Sequence, residues 1–133
     1  MKKTILIILL LVAIGGASTA YYMWNKPKRT AADEKPTASM SADDLLLAFQ
    51  NDENKANASY LNKIIEVSGI VVKKEKDDSG SEVVYLETTD VFGLVSCTMI
   101  PGTTCDASEG QETKLKGICT GYLSDVVLTQ CAP

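Results

Sequence analysis

From Thr4 to Trp24 the chain runs for 21 residues without a charged side chain. As a helix rising 1.5 Å per residue, this stretch is about 30 Å long, the thickness of a bilayer's hydrocarbon core. Tyr21, Tyr22 and Trp24 gather at its end, where amphipathic rings favour the headgroup level, and Lys26, Lys28 and Arg29 follow. Residues 1–25 therefore read as a transmembrane anchor that meets the membrane through residues 4–24. A cleaved signal peptide is the rival, because Lys2-Lys3, an apolar core and Ser18-Thr19-Ala20 fit that pattern too. No cysteine lies near residue 20, so a lipoprotein anchor is excluded. What remains of the 133 residues suffices for one small domain.

Charge divides unevenly between the two parts. Residues 1–37 hold six basic and two acidic residues, a balance of +4. Residues 38–133 hold seven lysines, no arginine and fifteen acids, a balance of −8. The positive end suits a membrane surface. The acidic part is a poor partner for a phosphate backbone, which is bound by clustered Lys and Arg. The chain contains no histidine, which removes the commonest general base and the commonest metal ligand.

Residues 26–40 contain Pro27 and Pro36, mixed charge and small side chains. This composition predicts a flexible linker with a contour of up to roughly 50 Å. The domain is expected over residues 41–133. Ser41 is a suitable N-cap for a helix whose Leu45, Leu46 and Phe49 form an apolar stripe. Asp52 can cap a second helical piece, Glu53 to Tyr60, with Ala56 and Tyr60 on a shared face.

The period then changes to that of strands. Five are predicted: Ile64 to Val72, Val83 to Thr88, Gly93 to Ile100, Lys114 to Tyr122 and Val126 to Cys131. Gly69 interrupts the first and marks a bulge or sharp bend. The fold class is mainly β with an N-terminal helix. It is a five-stranded OB-like barrel, preceded by an amphipathic helical region and a single transmembrane helix. A three-plus-two sandwich is the runner-up.

Several short motifs sharpen this reading. Tyr60-x-x-Lys63 leads into Ile65-x-Val67-x-Gly69, and Gly117-x-Cys119-x-Gly121 leads into Asp125-Val126-x-Leu128-x-x-Cys131. With Val95-x-Cys97, and Trp24-Asn25-Lys26-Pro27 after the anchor, the chain resembles the tRNA-anticodon-binding-like OB-fold family of small bacterial proteins, often membrane-anchored or secreted. The resemblance implies the fold and leaves the activity open. Cys105 and its loop depart from the family pattern.

Four cysteines without histidine could hold zinc, but close C-x2-4-C knuckles are missing, and so is a C-x-x-C redox pair. Disulfides are the expectation for Cys97, Cys105, Cys119 and Cys131. Cys119–Cys131 and Cys97–Cys105 are the favoured pairs and Cys97–Cys131 is the alternative. A turn centred on Leu123-Ser124 sets Cys119 opposite about Leu128, which strains the first pair, since bridged Cα atoms lie within about 7 Å.

Asp125 reads as a turn-fixing carboxylate. Gly117 and Gly121 read as sites of close backbone approach or bulging. Tyr60 reads as a ring on the barrel end, with Lys63 in solvent. Asp77-Asp78-Ser79-Gly80-Ser81-Glu82 looks like a hairpin tip and lacks the spacing of an EF-hand loop. On the strands that carry ligands in OB folds, Tyr85 is the one evident aromatic.

No catalytic, cofactor or metal constellation is nominated, so an enzyme is not expected. The expectation is a membrane-anchored, extracytoplasmic OB-fold binding module, periplasmic or at the cell surface, for a protein, peptide or glycan. A nucleic-acid-binding OB protein is the alternative. The outward orientation rests chiefly on the cysteines and their oxidising compartment.

Overall fold

The computed structural model describes residues 1–26 and 30–133. Helix α1 spans Lys2–Trp24, with every side chain exposed, and is long and apolar enough to cross a membrane. Strand β1 (Ala38–Ser41), helix α2 (Ala42–Asn51) and helix α3 (Glu53–Tyr60) follow. The remaining strands are β2 (Ile64–Lys76), β3 (Glu82–Leu86), β4 (Val95–Met99), β5 (Glu112–Tyr122) and β6 (Val126–Ala132).

Each short helix begins where a side chain satisfies an orphan backbone donor. The Ser41 hydroxyl accepts the Asp44 N–H at 3.1 Å, and Asp52 Oδ1 accepts the Lys55 N–H at 3.0 Å. Leu45, Leu46 and Phe49 face inward from α2 and are wholly buried; Ala56 does the same from α3. Phe49 stacks on Tyr122 with ring centroids 5.7 Å apart, and Tyr60 lies 6.3 Å from the same ring. Together these groups close one end of the barrel.

The barrel is β2-β3-β4-β6-β5, sealed by β5 pairing back on β2. All its pairs are antiparallel except β4 with β6, which run parallel. This is the five-stranded Greek-key arrangement of an OB fold. Its strands alternate inward apolar residues, such as Val84, Leu86, Val95, Cys97, Leu115 and Leu128, which form one buried cluster.

Strand β2 does double work. From Ile64 to Ile70 one edge pairs with β5. The other edge pairs with β1 over Ile65 to Ser68, then with β3 from Val71 onward. Gly69 sits at the changeover. A Cβ there would lie 3.2 Å from both the Ala42 and Leu86 Cβ atoms. A register shift between Val71 and Lys73 completes the bend foreseen at this glycine.

The stretch expected to be linker, residues 26–40, behaves differently in its described part. Residues 27–29 lie outside the described residues. From Ala31 on, the chain is attached to the barrel: Ala31 is fully buried and its N–H donates to the Gln130 carbonyl at 3.2 Å. The Thr37 N–H donates to the Ile64 carbonyl at 2.7 Å, and β1 then adds a sixth, parallel strand. The physical reason is the uncovered edge of β2, whose backbone groups need partners where β3 does not reach.

The expected disulfides are not formed; Cys97, Cys105, Cys119 and Cys131 are all buried free thiols. The hairpin register explains the correction. Cys119 lies opposite Leu128, and bulges on both sides of this pair leave Cys131 further along, beside Met99 and under Gly117. Cys131 neighbours Cys97, while Cys105 Sγ lies 3.8 Å from Thr113 Oγ1. The cysteines serve as small core residues.

The close approach at Gly117 generates a test. A methyl there would strike Cys131 Sγ and lie 3.0 Å from Leu128 Cβ. Gly117→Ala should lower unfolding stability by about 1–3 kcal/mol through overpacking. Gly15→Ala on α1, where nothing lies within 4 Å, should leave it unchanged. Urea titrations of the full chain in nonionic detergent would check both.

Candidate functional site

A groove of about 680 Å³ runs along the seam where β2 passes from β1 to β3. Its walls come from the first turn of α2, from Ser68–Ile70 and Val72 of β2, from the loop after β3 (residues 87–91), and from Glu112 of β5. The size suits a small ligand or a short segment of chain.

The loop after β3 is held in shape by its neighbours. The Asp43 carboxylate accepts the Thr89 N–H, and the Gln50 amide donates to Asp90. Asp90 Oδ1 also accepts the Phe92 N–H at 2.9 Å. The Phe92 N–H first, and then the Gln50 amide, hold the Asp90 carboxyl below its usual range, so it stays ionised. From the other side, Asp125 Oδ1 accepts the Leu94 N–H at 2.9 Å. Asp125 thus ties the β5–β6 turn to this loop, a wider role than fixing its own turn.

Four carboxylates line the groove: Asp43, Glu87, Asp90 and Glu112. No lysine or arginine is among the lining residues. Ser41, Ser68, Thr88 and Thr89 add hydroxyls, and Ala42, Ile70, Val72, Val91 and Leu94 give an apolar floor and rim. Val91 and the adjacent Phe92 project almost fully into solvent, at 89% and 88% exposure.

The outer barrel face offers a second, shallower surface. Tyr85 is half-buried on β3, with Lys73 Nζ 5.5 Å from its ring centre. The same ammonium pairs with Glu75 at 2.5 Å, which raises the Lys73 pKa. Ser96 of β4 is the register partner of Tyr85.

The other residues singled out from sequence serve the fold. Tyr60 packs against Phe49 at the closed end, and Lys63 Nζ reaches the Ala58 carbonyl at 3.4 Å. Gly121 has φ of +145°, a conformation that favours glycine, and follows a bulge in β5. At the opposite hairpin tip, Asp77 Oδ1 accepts the Ser79 hydroxyl and the N–H groups of Ser79 and Ser81. The Ser79 hydroxyl leads the effects that lower the Asp77 pKa. Among the described residues no three Cys, Asp or Glu side chains gather in a way that could hold a metal ion.

The groove carboxylates escaped sequence reasoning. Asp43, Glu87, Asp90 and Glu112 come from separate segments with no common spacing. Only the surplus of acid over base in residues 38–133 hinted at such a surface.

Comparison with known proteins bears on the fold. The sequence profile of the tRNA_anti-like family matches residues 1–132. A crystal structure of a lipoprotein from Klebsiella pneumoniae, provisionally described as nucleic acid-binding, superposes with a TM-score of 0.55. It shares 17% sequence identity and covers 71% of this chain and 90% of its own. No curated protein matches the chain.

The thiols yield a test with a definite sign. Burial raises the Cys119 pKa; the neighbouring Cys97 thiol, followed by burial, raises that of Cys131. An unfolded thiol ionises near pH 8.5, so the folded state keeps protons that the unfolded state loses. Stability is therefore full below about pH 8.5 and is lost as pH rises above it. Urea midpoints should fall between about pH 8 and 10, less so in Cys131→Ala. Iodoacetamide at neutral pH should spare Cys119 and Cys131 until the chain is denatured.

Proposed function

The chain belongs to the tRNA_anti-like family, and from that premise we propose that it is a non-enzymatic binding module. Helix α1 holds it at a membrane, with the OB barrel on the extracytoplasmic side, and its ligand is something other than a polynucleotide. One observation carries the choice of ligand: the main groove of the barrel is walled by four carboxylates and no Lys or Arg. Single-stranded nucleic acids are bound by the opposite arrangement, a basic groove with successive stacking rings.

Two facts favour binding over catalysis. The chain has no histidine to act as a base. Its thiols are buried, and those of Cys119 and Cys131 are held protonated, so they are poor nucleophiles. The membrane assignment draws on the exposed apolar length of α1. The Klebsiella pneumoniae neighbour is a lipoprotein. This chain has no cysteine before Cys97 to carry a lipid, and α1 takes that place. Basic residues flank both ends of the apolar run, Lys2-Lys3 before it and Lys26, Lys28 and Arg29 after it, so charge does not set the orientation and the protease experiment below tests it.

A second reading, nucleic-acid binding, is favoured by Lys73 over Tyr85 on the outer face and by the description of that lipoprotein. It has a single ring, and a cation already paired with Glu75. Fluorescence anisotropy of labelled single-stranded RNA and DNA with the full chain in detergent, at low salt, separates the two. The expected result is no saturable binding below about 10 µM, the strong end of weak non-specific binding being near 1 µM. Submicromolar, salt-sensitive binding lost in Tyr85→Ala would establish the second reading instead. Protease added to spheroplasts should remove the barrel and spare the membrane-embedded amino end; a fully protected barrel would reverse the proposed orientation.

A further inference from the structure

We propose that the groove beside β2 is a docking site for a basic peptide segment, one that carries Lys or Arg next to an aliphatic or aromatic side chain. The inference rests on the binding-module reading and adds the class of partner. Its argument is charge complementarity on an apolar groove.

The carboxylates differ in how far the fold uses them. Asp43 and Asp90 hold the loop after β3. The side-chain carboxylates of Glu87 and Glu112 are exposed and engage no hydrogen bond or ion pair among the described residues. Fold stability therefore does not explain their place on the groove. Two lysines adjoining the lining segments do not neutralise it: Lys73 is taken by Glu75, and Lys114, on the same outward side of β5 as Glu112, is not among the lining residues. An incoming ammonium or guanidinium thus meets two unclaimed carboxylates and two more whose lone pairs are only partly used.

Between these charges lies apolar surface in need of cover. Ile70 and Val72 are 42% and 43% exposed on β2, and Val91 is 89% exposed on the rim. A purely polar cation would leave this floor wet, and a purely apolar segment would strand the carboxylates beneath it. A segment carrying both kinds of group satisfies both demands. The apolar part supplies affinity; the charges supply register and encounter rate.

The test uses the full chain in nonionic detergent and two fluorescein-labelled probes: a ten-residue peptide alternating Lys and Leu, and its Glu/Leu counterpart. The Lys/Leu peptide should bind with an affinity that falls as salt rises, and the Glu/Leu peptide should not bind. Glu87→Gln with Glu112→Gln should weaken the Lys/Leu peptide roughly five- to tenfold, as expected for two partly exposed ion pairs. Val91→Ser should weaken it about threefold or more through lost apolar contact.

A control removes two charges elsewhere, Asp78→Asn with Glu109→Gln, both exposed, and should change little. Equal weakening in this control would show attraction to net charge alone and overturn the proposal. So would failure of the Lys/Leu peptide to bind. If RNA is not bound in that case either, the module reading survives and only the peptide site falls. RNA bound in competition with the peptide would overturn both.

Discussion

The whole sheet, barrel and added strand alike, depends on one strand serving three neighbours. Strand β2 gives one edge to β5 and divides the other between β1 and β3. A flat strand cannot do this, because the two partners on the divided edge approach along different lines. The bend at Gly69 and the register shift that follows make it possible. The crowding at the bend, with Ala42 and Leu86 both at contact distance from a would-be Cβ, shows why a side chain is missing there. The groove is a by-product of the same device. Where one partner strand ends and another begins, the outer surface of β2 is left open between α2 and the loop after β3.

Much of the architecture was legible because local signals agreed with one another. Ser41 and Asp52 announced helix starts, the apolar residues of α2 announced a buried face, and the change to alternating β-branched residues announced the strands. The position of the Leu123-Ser124 turn even placed Cys119 opposite Leu128. What escaped was decided by tertiary pairing. Ala38–Ser41 has no strand-like composition of its own; it becomes β1 because β2 has an edge to satisfy. The cysteines were misread for a related reason. Spacing and compartment suggested bridges, whereas core packing decides which way each thiol points, and Cys105 and Cys97 point to different neighbours.

The candidate site was the least legible part. Asp43, Glu87, Asp90 and Glu112 are remote in sequence, and each alone looks like an ordinary solvated acid. The motifs that stood out by pattern, Tyr60-x-x-Lys63 and Gly117-x-Cys119-x-Gly121, make their contacts within the fold. A pattern visible along the chain reports local backbone demands, while a recognition surface is assembled across segments and leaves little trace in any one of them.

In the proposed membrane-anchored arrangement, the docking of Ala31 on β6 shortens the leash between bilayer and barrel. Between Lys26, just past α1, and the anchored Ala31 there are five peptide steps, a contour of about 17 Å. A domain so anchored would sample a thin layer above the lipid instead of the bulk compartment. Partners in the same membrane would meet it at high effective concentration, while freely diffusing ones gain nothing from the anchor. Weak contacts, too feeble to matter between dissolved molecules, can suffice under that confinement.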